Sequence, residues 1–318
     1  MSKIENKNTG DSWMQHMLKG EFAEAWKISD TVLAARAGVP CVHLPRHQQY
    51  FWDGTPLHNK RVLVRCYHGL GDTIQFIRYA PWLKSIVREL TIWAQPELIP
   101  LLQTMRAVDK LLPLHDGAPE VDLDADIEVM ELPHIHRTTI ATIPSDIPYL
   151  HVAPISLSKQ EQQLKVGLVW RAGEWDPRRH LSFESLKPLF SVKGIECYIL
   201  QADPLRAGWE QGYGVHPGDY SLFDYARVLK GLDLLISVDS MPAHLAGAIG
   251  NSVWTLLHAN ADWRWMAERL DSPWYPTMRL FRQERQGDWD SVVKKVKAAL
   301  QALIQSKTKQ ARPKSQAM

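Results

Sequence analysis

Two short segments of this sequence carry the residue types that proton transfer and phosphate binding need. The first, His68-Gly-Leu-Gly-Asp-Thr73, follows the alternating run Arg61 to Cys66 and leads into a helix-like stretch. Its two glycines let backbone approach a ligand closely. Asp72 reads either as a general base for an acceptor hydroxyl or as a cap that merely starts the helix. The second segment, Ser237-Val-Asp-Ser-Met-Pro-Ala-His244, closes the apolar run Leu234 to Val238 and opens a helix of small residues. Ser240 suits the N-cap, and Pro242 in the first turn forfeits no hydrogen bond. Free N–H groups and the positive dipole end at such a start invite an anion, most often phosphate. His244 falls close enough to address that phosphate or a sugar. Asp239 would repel phosphate, so it better suits a sugar hydroxyl or the orientation of His244.

Two other segments have a functional and a plain reading. In Trp170-Arg-Ala-Gly-Glu-Trp-Asp-Pro-Arg-Arg-His180, Arg178 and Arg179 suit a diphosphate held by forked hydrogen bonds, or are solvated surface. In Ala261-Asp-Trp-Arg-Trp-Met266, Asp262, Trp263 and Arg264 either frame a cleft, with the tryptophan stacking on sugar or base, or form a tryptophan-rich domain contact. The Gly-Leu-Gly segment is not a Gly-x-Gly-x-x-Gly fingerprint, and no acidic residue ends the second strand, so a dinucleotide site is unsupported. A His-Glu-x-x-His motif, a cysteine pair and a serine nucleophile elbow are missing too, and no metal or resident cofactor is expected.

These segments need strands and helices to hold them, and the chain supplies alternating runs of both. Residues 1–10 read as disordered, 11–38 as a helical pair divided at Gly20, and 39–60 as an irregular connector. The pair resembles one tetratricopeptide unit, which cannot bury its own face and is expected to pack on the body of the protein. Residues 61–155 alternate strand and helix, with Pro81 expected to kink the first helix. Residues 156–164 form a polar linker, and the alternation restarts over 165–289. Residues 290–304 form a last amphipathic helix, and 305–318 a disordered tail. The whole reads as α/β, with two Rossmann-like parallel-sheet domains facing a cleft and a short N-terminal helical pair. Ligands in such sheets sit beyond the carboxyl ends of the strands.

Composition narrows the function. Of 318 residues, 45% are hydrophobic and 23% charged, with a net charge of +2, as in a soluble globular protein. Lys and Arg are scattered, so a nucleic-acid partner is not expected. No signal peptide and no run of about 18 apolar residues is visible. Three widely spaced cysteines fit a reducing compartment, so a cytoplasmic location is expected, at most peripheral to the inner membrane face.

Taken together, the segments resemble bacterial glycosyltransferases of family 9, related to ADP-heptose:lipopolysaccharide heptosyltransferases, in the branch often fused to tetratricopeptide repeats. The likeness rests on Trp52-Asp-Gly54, Gly69-Leu-Gly-Asp-Thr-Ile-Gln-Phe-Ile-Arg-Tyr79, Val166-Gly-Leu-Val-Trp170, Ile236-Ser-Val-Asp-Ser240, Ala243-His-Leu-Ala-Gly247, Asp262-Trp-Arg-Trp265, Asp271-Ser-Pro-Trp-Tyr-Pro276, Leu280-Phe-Arg-Gln283 and Gly287-Asp-Trp289, in that order. It spans roughly residues 50–300. The resemblance implies a GT-B fold and a metal-independent, inverting transfer from a nucleotide-diphosphate sugar to a glycan, lipid-linked saccharide or protein hydroxyl. It implies Asp72 as catalytic base, and Arg179, Gln201, Asp239, Ser240 and His244 as donor contacts. His68, Gly69, Gly71, Gln75, Arg178, Asp262, Trp263 and Arg264 then belong to the cleft. Where many members have Glu-Gln, this chain has Tyr67-His68; Ser240 replaces threonine and keeps its hydroxyl, and His180-Leu-Ser182 replaces Ser-Ile-Pro. A non-catalytic nucleotide-sugar-binding or adaptor module and a GT-B sugar-nucleotide epimerase are the alternatives.

Overall fold

The computed structural model of the chain describes residues 3–157 and 163–311. The expected disorder of residues 1–2 and 312–318, and most of the expected linker (158–162), lie outside the described residues.

Helices α1 (Lys3–Lys19) and α2 (Phe22–Arg36) form the expected antiparallel pair. The first starts well before Asp11. Once Met17 and its neighbours anchor a helix, each further residue adds a hydrogen bond without a new nucleus, so a polar stretch continues it. The pair packs on the body as a lone repeat unit must. Phe22 and Trp26 are buried, Trp26 Nε1 donates to Thr138 O at 2.6 Å, and Ala267 N donates to Leu18 O at 2.9 Å.

The first sheet domain contains β1 (Arg61–Arg65), α3 (Leu70–Phe76), α4 (Ala80–Ile86), β2 (Glu89–Ala94), α5 (Ile99–Leu102), β3 (Lys110–Pro113), β4 (Ala125–Glu128) and α6 (Leu132–Ile135). Its four strands are parallel in the order β3-β2-β1-β4, with Leu63 paired to Thr91 on one side and Asp126 on the other. Pro81 divides the first long helix: a 3₁₀ turn over residues 77–79 separates α3 from α4, and Pro81 sits in the first turn of α4, where no N–H is needed.

The second domain contains β5 (Leu164–Val169), α7 (Phe183–Phe190), β6 (Ile195–Ile199), α8 (Leu222–Lys230), β7 (Leu234–Val238), α9 (Met241–Ala248), β8 (Val253–Leu257), β9 (Met278–Arg282) and α10 (Trp289–Ala311). Its strands are parallel in the order β6-β5-β7-β8-β9. The central strands β7 and β8 are buried throughout, which is why they read as unbroken apolar runs. Strand β9 was not expected, since Arg279 and Arg282 interrupt its apolar character. The terminal helix runs to Ala311, past the expected limit at 304, again by extension of an anchored helix.

The order of strands reverses between β1 and β4 in one sheet and between β5 and β7 in the other. These are the crevices in which open parallel sheets bind ligands. Helix α3 leaves the first crevice and α9 the second, and the two helices pack on each other across the domain boundary. A Cβ added to Gly71 would lie 3.1 Å from His244 Cδ2 and 3.4 Å from Met241 Cα, so this approach needs the missing side chain.

Behind α9, a Cβ on Gly247 would fall 2.4 Å from the fully buried ring of Tyr275. Gly247→Ala is therefore expected to destabilise the protein by roughly 1–3 kcal/mol through overpacking, read as a lower Tm. An unchanged Tm would mean that the ring moves aside freely.

Candidate active site

Asp72 stands at the mouth of the first crevice, in the first turn of α3. Its Oδ2 accepts the Gly69 N–H at 3.0 Å, and its Oδ1 accepts from Arg264 Nη2 of the other domain at 2.5 Å. One oxygen thus fastens the helix start, as the cap reading has it, and the other is held by Arg264. Arg264 is 9% exposed; its Nη1 lies 2.9 Å from Asp262 Oδ1, and its guanidinium 5.3 Å from the rings of Phe76 and Trp263. Burial disfavours the charge of Arg264, but Asp262, Asp72 and Asp239 together outweigh it and strengthen the guanidinium's hold on its proton.

Beside Asp72 lies a carboxyl that motif reading missed. Glu128, the last residue of β4, is 2% exposed and 3.7 Å from His68 Nε2. Its oxygens accept the N–H groups of Tyr67 at 3.4 Å and Met130 at 2.6 Å. Burial pushes it up to about 8, and the like charges of Glu131 and Asp72 add to this. His68 is held below its ordinary range, first by burial. At neutral pH the pair therefore combines a largely protonated carboxyl with a neutral imidazole. The signal was an acidic residue beside the apolar Ile127 at the end of a short strand.

At the second crevice Ser240 takes the N-cap position of α9, but its hydroxyl does not cap. It bonds Val238 O and Ser237 Oγ, each at 3.0 Å, which leaves the helix start without a side-chain cap. An uncapped start with Pro242 in the first turn suits an external anion better than a capped one. Arg179 reaches the same place: its Nη1 donates to Asp239 O at 3.2 Å, while its buried Nε has no partner among the described residues. Asp239 is 7% exposed and pushed up to about 6 by burial and by Asp262, against the pull of Arg179 and Arg264.

A cleft of about 450 Å³ opens beyond the ends of β5, β6 and β7, lined among others by Arg171, Gly173, Gln201, Tyr220, Ser240 and Met241. Gln201 lines this cleft and also braces its wall: its Oε1 accepts the N–H groups of Trp170 and Arg171, at 3.0 and 2.8 Å. A second cleft of about 500 Å³, lined by Arg178, Arg179, Asp239, His258 and Asp262, lies between α1 and the loops after β5 and β8. Arg178 is exposed there and paired with Asp176 at 2.8 Å.

His244, expected as a donor contact, and Trp263 and Gln75, expected in the cleft, are buried. His244 is 6% exposed, its Nδ1 3.0 Å from Tyr275 Oη and its ring stacked on Trp265, with Asp239 Oδ1 at 3.8 Å from its Nε2. Burial, with Arg264, Arg78 and Arg179 nearby, keeps this ring neutral well below its ordinary range. It orders the domain contact that the sequence could not show. Trp263 is packed among Trp13, Phe22, Phe76 and Trp274, the domain-contact reading of that segment. Gln75 is fully buried with neither amide atom partnered among the described residues. Arg78, three residues on, was overlooked: it donates to Trp274 O, Pro144 O and Tyr149 Oη and ties both domains together. Gly71 makes its close approach to His244 and Met241 of α9, and Gly69 to the Asp72 carboxylate.

The run Asp122-Leu-Asp-Ala-Asp126 has Asp-x-Asp spacing, but its carboxylates pair with Arg61 and Arg65 of β1. Among the described residues, no group of three or more His, Cys, Asp or Glu is arranged to hold a metal ion. None of their helices is long and apolar enough to cross a membrane.

Two Rossmann-like parallel-sheet domains that face each other across their switch points define the GT-B class of fold. Within that class, the chain is similar to a glycosyltransferase family 9 structure from Veillonella parvula, at a TM-score of 0.60 and 12% identity over 79% of this chain and 99% of the other. It is also similar to the E. coli ADP-heptose lps heptosyltransferase II, at a TM-score of 0.53 and 14% identity over 78% and 99%. TibC of enterotoxigenic E. coli, an iron-containing dodecameric heptosyltransferase solved with ADP-D-β-D-heptose, matches at a TM-score of 0.54 and 12% identity over 81% and 78%. In sequence, protein FlbA of Caulobacter vibrioides is 24% identical over 320 residues, 88% of this chain and 52% of FlbA. The chain thus spans about half the length of that curated relative. No family model matches it.

Proposed function

We propose that this chain is an inverting, metal-independent glycosyltransferase that moves a sugar from a nucleotide diphosphate to a hydroxyl of a glycan, lipid-linked saccharide or protein. The reading is carried by one observation: the carboxylate in the first turn of α3, at one switch point, and the uncapped start of α9, at the other, stand on two helices packed against each other at Gly71. The nucleotide lies beyond β5 and β6, and its diphosphate at the start of α9 beside Arg179. The acceptor oxygen attacks the anomeric carbon from the side of the first domain as the bond to the diphosphate oxygen breaks. Asp72 takes the acceptor's proton, and Arg179 with the helix dipole holds the charge that develops on the leaving diphosphate.

ADP-heptose appears in the names of two structural relatives, which makes ADP-linked sugars the first donors to test and a heptose or hexose the first sugar. Titration with ADP-, UDP- and GDP-sugars is expected to give one bound class. Arg179→Ala is expected to weaken it roughly 10- to 100-fold, the value of a hydrogen bond to a charged group. If no nucleotide binds, or the variant binds as well as the wild type, the donor assignment is wrong. Tight binding without transfer or hydrolysis, under conditions where acceptor extracts are supplied, favours the binding-module alternative.

A further inference from the structure

A further cavity lies outside the donor crevice. It has a volume of about 840 Å³, within the roughly 300–1,000 Å³ of small-ligand sites, and lies between α2 and the segment after β4. Its walls include Trp13, Trp26, Trp52, Ser29, Glu131 and His134. All three indole N–H groups are already spent inside the protein, on Ser29 Oγ, Thr138 O and Thr55 O. What the tryptophans offer the cavity is therefore carbon surface. The rings are also braced: Trp26 stacks on His134 at 5.6 Å, and Trp52 meets the same imidazole edge-on at 5.5 Å.

The polar groups are few and fixed. Glu131 Oε2 accepts the Glu128 N–H at 2.8 Å and the Trp52 N–H at 3.4 Å, which sets its carboxyl in the wall. Burial pushes that carboxyl up to about 7, so near neutral pH it donates as well as accepts. His134 Nε2 is within 2.9 Å of Asp30 Oδ1. Met130 connects this cavity to the catalytic cleft: it lines the cavity, and its Sδ is 3.8 Å from Arg264 Nη2, which holds Asp72.

Rigid aromatic carbon faces beside a few hydrogen-bonding groups match a ligand with C–H faces and hydroxyl edges. A phosphate would find a single cation, Arg36, whose guanidinium already lies over the Tyr50 ring, and α2 presents its flank here rather than its positive end. A peptide strand would need unpaired backbone groups, whereas these walls are side chains. An alkyl chain would set carbon against the Glu131 carboxyl and the Arg36 guanidinium.

We propose that this cavity is a saccharide subsite on the acceptor side, holding a neutral sugar ring one side chain away from the Asp72–Arg264 pair. Its acceptor role rests on the glycosyltransferase reading; sugar binding itself does not.

The test uses saturation-transfer NMR on the full chain with methyl glycosides of glucose, galactose, mannose and N-acetylglucosamine. At least one glycoside is expected to receive saturation at its ring C–H protons. Val32→Trp, which fills the cavity from α2, should abolish the signal, and the near-isosteric Glu131→Gln should weaken binding at least roughly fivefold. Nucleotide titration of the same variants reads the other domain and is expected to be unchanged, so failure of the donor assignment and failure of this subsite are separable. The proposal is overturned if no glycoside is saturated, if a Ser/Thr peptide is saturated in their place, or if both variants, folded by circular dichroism, bind glycosides as the wild type does.

Discussion

Asp72→Asn is expected to lower sugar transfer by roughly 10²–10⁴-fold while nucleotide binding is retained. The amide preserves shape, so the Gly69 N–H keeps an oxygen to donate to, and α3 keeps its start. What is lost is the acceptor for a proton and the partner of Arg264. Arg264 occupies the Asp72 oxygen that would take the proton, so it must let go before Asp72 can act. On the proposed reaction, a diphosphate bound at the start of α9 would offer Arg264 a competing anion close to Asp239. Transfer should then require donor binding before acceptor deprotonation. The measurement is the initial rate with saturating nucleotide sugar, with Kd from titration alongside. A variant that transfers at the wild-type rate removes Asp72 as base; Glu128, the other carboxyl in that crevice, then becomes the residue to replace.

How much of this was legible in the sequence follows from the range of the interactions. Strands β1, β7 and β8 and the Pro81 break are local, set by apolar runs and by a missing N–H, and they lie where expected. The positions of Asp72 and Ser240 at helix starts were equally readable, because strand-to-helix turns have short signatures. The partners were not. Arg264 is 192 positions from Asp72, and only the closed arrangement of two domains makes one a ligand of the other. His244 illustrates the same limit: a histidine near a helix start looks open to ligand until Gly71 and Trp265 of distant segments bury it. Trp263 reads as a stacking residue only until Phe22 and Trp13 of the N-terminal pair are seen to cover it. Glu128 was hidden for another reason, since an acidic residue within a short strand carries no motif.

The largest effect on stability is expected from Arg264→Gln. The change removes the cation among Asp72, Asp262 and Asp239 and leaves three carboxylates facing one another. Breaking a fully buried ion pair costs about 3–5 kcal/mol; here the side chains of Asp72 and Asp262 stay 28% and 35% exposed, so about 2–4 kcal/mol is expected. For a chain of this size that is a fall in Tm on the order of 5 °C. The pH dependence distinguishes this account from simple loss of packing. In the wild type the Asp239 carboxyl is already raised, to about 6, so its ionisation opposes folding above that pH and the opposition fades as pH falls through it. Without Arg264 the folded-state value rises further while the unfolded one is unchanged. The deficit of the variant should therefore be greatest above pH 7 and shrink toward pH 5. Thermal unfolding of both proteins at pH 8 and pH 5 measures it. A gap in Tm that is equal at the two pH values, or wider at pH 5, would show that Arg264 acts through its contacts with Phe76 and Trp263 and not through its charge.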